Sequence, residues 1–243
     1  KYHDFRFLWG SQIGSVMTMQ TETYAKAWLI IELTDGDATK AATFIGLAHF
    51  TRFAGALAVL VGGVLTDKLD RRYILVTANL VSTLYFGLIG VLILLGIIEI
   101  WHIVAGAVLA GAAQAVDNTA RQASVSSIVP REGIMNAISL TSVVHGISNT
   151  IGPAIAGLMI FLTGTGGAYV AMSAFLFLSM SLLWFVHPLK IVNPEPEGNF
   201  FRSLWEGLSY SFRTPSVRIV LLVGFTVVLL GAPHFQLLPV YFK

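Results

Sequence analysis

Gly62-Gly63-Val64-Leu65-Thr66-Asp67-Lys68-Leu69-Asp70-Arg71-Arg72-Tyr73-Ile74-Leu75 packs five charges into residues 67–72, between two long apolar runs. Such density is unusual for this chain, which is 12% charged and 55% hydrophobic over 243 residues, with a mean hydropathy of +0.75. A soluble domain carries about 25% charged residues, and disorder needs low hydrophobicity with high charge. Composition therefore excludes both a soluble enzyme and a disordered chain. The stretch reads as a tight loop joining two membrane helices. Its basic residues fit the rule that cytoplasmic loops are rich in Lys and Arg. Asp67 and Asp70 add nothing to that rule, so they call for partners, and Asp117 and Arg121 lie at the same end of a later apolar run.

Crossing roughly 30 Å of hydrocarbon takes about 20 mostly apolar residues. Outward from the loop, that length predicts seven helices near 7–33, 41–66, 73–98, 100–124, 136–162, 167–188 and 217–242. Thr163-Gly164-Thr165-Gly166-Gly167 divides the fifth from the sixth. Alternating the sides puts Lys1, Arg6, Lys68, Arg71, Arg72, Arg121, Arg131, Lys190, Arg202, Arg213 and Arg218 together, against Lys40 and Lys243 opposite. The positive side is cytoplasmic, so the N-terminus lies inside. That orientation excludes a G-protein-coupled receptor. A retinal protein is excluded because Ile219 to Phe242 contains no lysine.

The expected organisation is a six-helix bundle over 1–189, a cytoplasmic linker over 190–216 and a seventh helix over 217–243. The linker begins with Asn193-Pro194-Glu195-Pro196-Glu197-Gly198, which cannot be helical throughout. Phe201, Leu204, Trp205, Leu208 and Phe212 then recur at helical spacing, as in a helix lying along the membrane surface. A net charge of +2 gives no argument for a nucleic-acid partner, and the absence of cysteine excludes disulfides and thiolate chemistry. The first residues do not form a cleavable signal. With no Met at position 1, the chain is expected to begin inside a longer one.

Polar residues within a bilayer are costly and usually face a bundle interior or a watery cavity. Helix 1 aligns Gln12, Ser15, Met19, Glu22 and Lys26 at three- and four-residue spacing; helix 4 aligns Gln114, Asp117, Asn118 and Arg121. His49 and Arg52 lie on helix 2, and Thr141, His145 and Asn149 on helix 5, while helices 3 and 6 have no ionisable residue inside. Polarity thus runs wet, mixed, dry and repeats, as in transporters built from repeated bundles. Glu22 and Lys26, an i, i+4 pair, fit either structural pairing or a cavity role. Arg52 has no acid one turn away, which favours a cavity. His145 and Asn149 fit packing and a substrate pathway equally. Ser148, Gly152 and Ala156 form a small-residue ridge that lets backbones approach, and Pro153 removes a backbone donor, which predicts a bend. His49, His102, His145 and His187 are scattered without the pairing of a metal site, so no metal, cofactor or enzymatic chemistry is expected.

The opening stretch resembles motif A of the major facilitator superfamily through Gly63, Leu65, Asp67, Lys68, Arg71, Arg72 and Leu75, with Asp70 where glycine is usual. Its branch of enterobactin-exporter and macrolide-efflux-like permeases is resembled by Asp117-Asn118-Thr119-Ala120-Arg121-Gln122-Ala123, Val129-Pro130-Arg131-Glu132 and Ile151-Gly152-Pro153-Ala154. Arg202-Ser203-Leu204-Trp205-Glu206-Gly207-Leu208 continues the likeness.

The resemblance implies an all-helical secondary transporter working by alternating access in the bacterial cytoplasmic membrane. It implies a cytoplasmic gate of Gly63, Asp67, Arg71, Arg72, Asp117 and Arg121, with Arg71 paired to Asp117 and Asp67 capping a helix of an opposite half. Gly152, Pro153 and Gly157 resemble motif C of proton-coupled antiporters, with Ala156 at one of its glycine positions. The candidate pathway is Glu22, Lys26, Arg52, Gln114, Asn118, His145 and Asn149. The expected partners are a small amphipathic molecule such as a siderophore or drug, a proton as coupling ion, and the lipid bilayer. An importer, a lipid or lysophospholipid flippase, and a non-transporting sensor are the rival readings. Relatives of this type have twelve helices in two halves, so one half, a connector and a seventh helix are expected here.

Overall fold

The computed structural model describes residues 3–50, 58 and 69–187, residues 51–56 by their backbone alone, and 209, 214, 217–219, 222–223 and 226. The chain divides into two compact units, Lys1–Val192 and Asn193–Lys243. In the first, α1 is His3–Leu33, α2 Ala38–Ala56, α3 Arg71–Leu94 and α4 Ile100–Ile128. The helical run Ile134–Ser181 is two helices, α5 (134–163) and α6 (165–181), and a 3-10 turn, Leu182–Phe185, follows. No strand occurs among the described residues.

Local chemistry sets each boundary. After α1 the chain reverses through Asp35 and Gly36 at φ 51° and 76°, and the Asp37 carboxylate accepts from the amides of Thr39 and Lys40, starting α2 at Ala38. Asp70 occupies the motif position usual for glycine, and here it is the N-cap of α3: its carboxylate accepts from the Arg72 amide at 2.9 Å. Helix 3 was expected to run to residue 98 but ends at Leu94, because Gly96 turns left-handed at φ 71°. Helical dihedrals persist through Pro153, and the break comes at Gly164, with φ 71° and ψ 173°. Only glycine adopts that conformation without strain.

The helix Arg71–Leu94, the helix Ile100–Ile128 and the stretch Arg131–Phe185 are long and apolar enough to cross a membrane. Glycines set the closest approaches. A Cβ on Gly106 would meet the Tyr85 ring, one on Gly90 would meet Val170, and one on Gly14 would meet Ser179, so α4 seats on α3, α3 on α6, and α1 on α6. At one end Leu8, Ile74, Leu75, Ala120, Leu183 and Val186 form a buried cluster that joins the starts of α1 and α3 to the ends of α4 and α6. Leu84, Leu88, Leu109, Phe161, Leu162 and Leu178 are exposed, as expected of surfaces that face lipid.

In the second unit the Arg218 amide donates to the Thr214 carbonyl at 3.0 Å and the Thr226 hydroxyl to the Leu222 carbonyl at 2.8 Å, both helical spacings. The proline-containing linker and most of the expected seventh helix lie outside the described residues.

Candidate functional site: a buried polar network beside a cavity

Asp117 and Arg121 sit one turn apart on α4, and both are 4% exposed. Arg121 Nε and Nη2 donate to Asp117 Oδ2 and Oδ1 at 2.7 and 3.1 Å, a two-point ion pair. Arg121 Nη1 also reaches the Leu8 carbonyl at 3.1 Å and Ser11 Oγ at 2.8 Å on α1. Asn79 Nδ2 on α3 donates to Asp117 Oδ1 at 2.7 Å, and Ser15 Oγ on α1 donates to Asn79 Oδ1 at 2.7 Å. Buried charge is tolerated when paired and hydrogen-bonded. This pair is, and in being so it ties three helices together.

The expected Arg71–Asp117 pair is not formed. Arg71 instead donates through Nη1 to the Ala123 carbonyl and Ser127 Oγ, because the first turn of α3 lies beside the last turns of α4, beyond Asp117. Asp117 takes Arg121 from its own helix. Arg72 Nη2 donates to the Trp184 carbonyl at 2.9 Å, and its guanidinium lies 5.3 Å from the centre of the Trp184 ring. The two motif arginines thus fasten α3 to the ends of α4 and of the α6 segment. Gly63 and Asp67 lie outside the described residues, and of Arg52 only the backbone, within α2, is described.

Glu22 and Lys26 pair within α1, Nζ to Oε1 at 3.0 Å, with side chains 2% and 1% exposed. Glu22 borders a small cavity of about 20 Å³ with Ser15, Met19, Ser82, Phe86 and Gln114. One water molecule needs roughly that space. Ser15 belongs both to this cavity and to the Asp117 network, so polar groups run from Glu22 to Asp117.

A larger cavity of about 450 Å³ opens between α1, α4 and α5. Its polar lining is Gln12, Asn118, Arg121, Gln122, Ser126, Thr141, Ser142 and His145; Val125, Ile134 and Ile138 supply apolar walls. Asn118 accepts from Gln114 Nε2 at 3.4 Å, and the Thr141 hydroxyl donates to Gln12 Oε1 at 3.4 Å, bridging α5 to α1. Asn118, Arg121 and His145, singled out in the sequence, therefore meet at one cavity. Asn149 does not line it; its Oδ1 accepts from Gln20 Nε2 on α1. Of the motif C-like residues, Gly152 is buried against Gln20, while Gly157 faces open space.

Sequence reasoning left out Asn79, a central member of the network, because helix 3 reads as dry. One asparagine within an apolar run, on a helix beside Asp117, was the available signal. Gln122, adjacent to Arg121 on α4, and Ser126, one turn further on, also line the cavity.

Comparison with known proteins extends the local likeness along the chain. The enterobactin exporter EntS of Shigella boydii serotype 18 is 26% identical over 227 residues, which cover 89% of this chain and 48% of that protein. The EntS proteins of Escherichia coli O1:K1 / APEC and O157:H7 show the same identity and coverage. The chain thus spans about half the length of the relatives it matches. The transmembrane secretion effector family matches across residues 1–243. With its helical architecture among the described residues and its long apolar helices, the chain belongs to that family of multi-pass membrane proteins within the major facilitator superfamily.

Proposed function

We propose that the chain forms the substrate-binding half of a proton-coupled exporter of a small amphipathic molecule, working by alternating access. The observation that carries this reading is the cavity between α1, α4 and α5, whose neutral polar groups alternate with apolar walls. Its volume falls in the range of about 300–1,000 Å³ usual for small-molecule sites. Its one guanidinium, Arg121, is already neutralised by Asp117, so the lining favours hydrogen-bonding ligands with apolar bulk over strongly charged ones. A siderophore such as enterobactin, the compound in the relatives' name, is the first substrate to test.

Glu22 is the proposed proton carrier. It is a buried carboxylate next to a water-sized cavity, and a polar path leads from it to Asp117. Glu22 pairs with Lys26, and making and breaking that pair is the two-state change we propose for coupling. Asp67, Arg71, Arg72, Asp117 and Arg121 are the proposed gate, with the N-terminus cytoplasmic and the membrane the bacterial inner one. The organisation is a bundle over 1–189, a linker over 190–216 and a seventh helix from 217.

The test is enterobactin flux in vesicles containing the full protein under an imposed pH gradient. Glu22→Gln is expected to abolish gradient-driven accumulation while leaving substrate exchange. Undiminished gradient-driven accumulation in Glu22→Gln would remove the proton assignment. Accumulation in the opposite direction would replace export with import.

A further inference from the structure

Away from the cavity, packing brings together three metal-ligating side chains from the two ends of the bundle's sequence. His187 Nδ1 lies 2.8 Å from Asp4 Oδ1, across 183 positions, and His3 Nδ1 lies 3.6 Å from the same oxygen. One ligand atom from each residue lies within 4.8 Å of the others. In a tetrahedral zinc centre with bonds of about 2.0–2.1 Å, ligand atoms are roughly 3.3–3.5 Å apart.

The backbone beneath the triad is well anchored. The His3 ring stands edge-on to Phe7 at 4.8 Å, and Phe7 stacks on Phe185 at 5.3 Å. Phe7 packs on the buried cluster that includes Leu8, Leu183 and Val186. The imidazoles themselves are open to solvent, with side chains 68% and 77% exposed, so an ion can enter and water can complete its coordination. A simple ion pair uses only His187; the second imidazole beside the same carboxylate oxygen is what a metal centre uses.

We propose that His3, Asp4 and His187 bind a divalent transition-metal ion of the zinc class, which staples the start of α1 to the segment after α6. Two imidazoles and one carboxylate suit zinc, cobalt, nickel or copper, whereas magnesium and calcium prefer all-oxygen ligands. Sequence spacing could not show this site: His3 and Asp4 are adjacent, and only the tertiary fold brings His187 to them. The site is independent of the transport reading.

Cobalt(II) titration of the full chain in detergent, without a polyhistidine tag, reads the site through its visible d–d bands, with Zn²⁺ as competitor. One equivalent is expected to bind. His3→Ala and His187→Ala should each weaken binding by at least about tenfold, the lower end of what losing a mere supporting partner costs a metal centre. Zn²⁺ should raise the thermal midpoint of the unaltered chain and not of either variant. Protection of His3 and His187 from diethyl pyrocarbonate by Zn²⁺ gives a readout that needs no substitution. Absence of binding, absence of protection, or binding unchanged in both variants would overturn the proposal.

Discussion

Arg121 is the residue on which the site depends most. Five hydrogen-bond contacts, to Asp117, Leu8, Ser11 and Ser15, hold a guanidinium that is only 4% exposed. Removing one partner of a buried pair strands the other charge, at about 3–5 kcal/mol. Arg121→Ala and Asp117→Ala are each expected to lose about that much in reversible unfolding, and the double replacement less than the sum. Asp37 makes a different kind of contribution. Hydrogen bonds from the Lys40 amide and ammonium, then from the Thr39 amide, hold its carboxyl below the usual aspartate value. A lowered pKa means this contribution is complete above the unfolded value and is lost as pH falls through the folded one. Protection of the Thr39 and Lys40 amides from hydrogen exchange should therefore fall below about pH 4, and Asp37→Ala should remove it at neutral pH. The Glu22–Lys26 pair within one helix is legible from spacing alone; Asp117 and Arg121 share that spacing, but Asp117 reads as the partner of Arg71 and only the structure pairs it with Arg121. Asn79 is not legible, since an uncharged amide in an apolar run gives no periodic signal, and Arg71 meets α4 at Ala123 and Ser127, turns beyond Asp117.

At the scale of elements, spans follow from apolar length, and their ends follow from single residues. Helices 1, 4 and 5 lie close to where the sequence puts them; helix 3 ends early because a left-handed glycine outranks the apolar residues beyond it. Small-residue ridges were legible as close-packing surfaces, but not which glycine touches a neighbour. A Cβ at Gly152 would lie 2.7 Å from Gln20 Cβ, while one at Gly157 meets nothing within 4 Å. Gly152→Ala is expected to push α5 from α1 and cost about 1–3 kcal/mol. Gly157→Ala should be neutral, or stabilising by up to about 1 kcal/mol through helix propensity. Gly164→Ala should cost about 1–3 kcal/mol from backbone strain alone. Thermal unfolding of the three variants in one detergent separates these effects.

For the whole molecule, the loop at residues 62–75 was enough to place the chain in its superfamily, and the family match over 1–243 agrees. Composition alone gave a membrane protein, and the polar stripes gave the helices that would face a cavity. What sequence could not give was the way those stripes converge: a cavity bounded by α1, α4 and α5, with the Asp117–Arg121 pair on its wall and Glu22 one small cavity away. The central claim is that Glu22 carries the proton that drives export. Proton uptake coupled to substrate movement, followed with a pH-sensitive dye in vesicles containing the unaltered protein and the Glu22→Gln variant, tests it most directly. The account predicts substrate-dependent proton flux in the first and none in the second, with substrate exchange retained. Equal proton flux in both would contradict it.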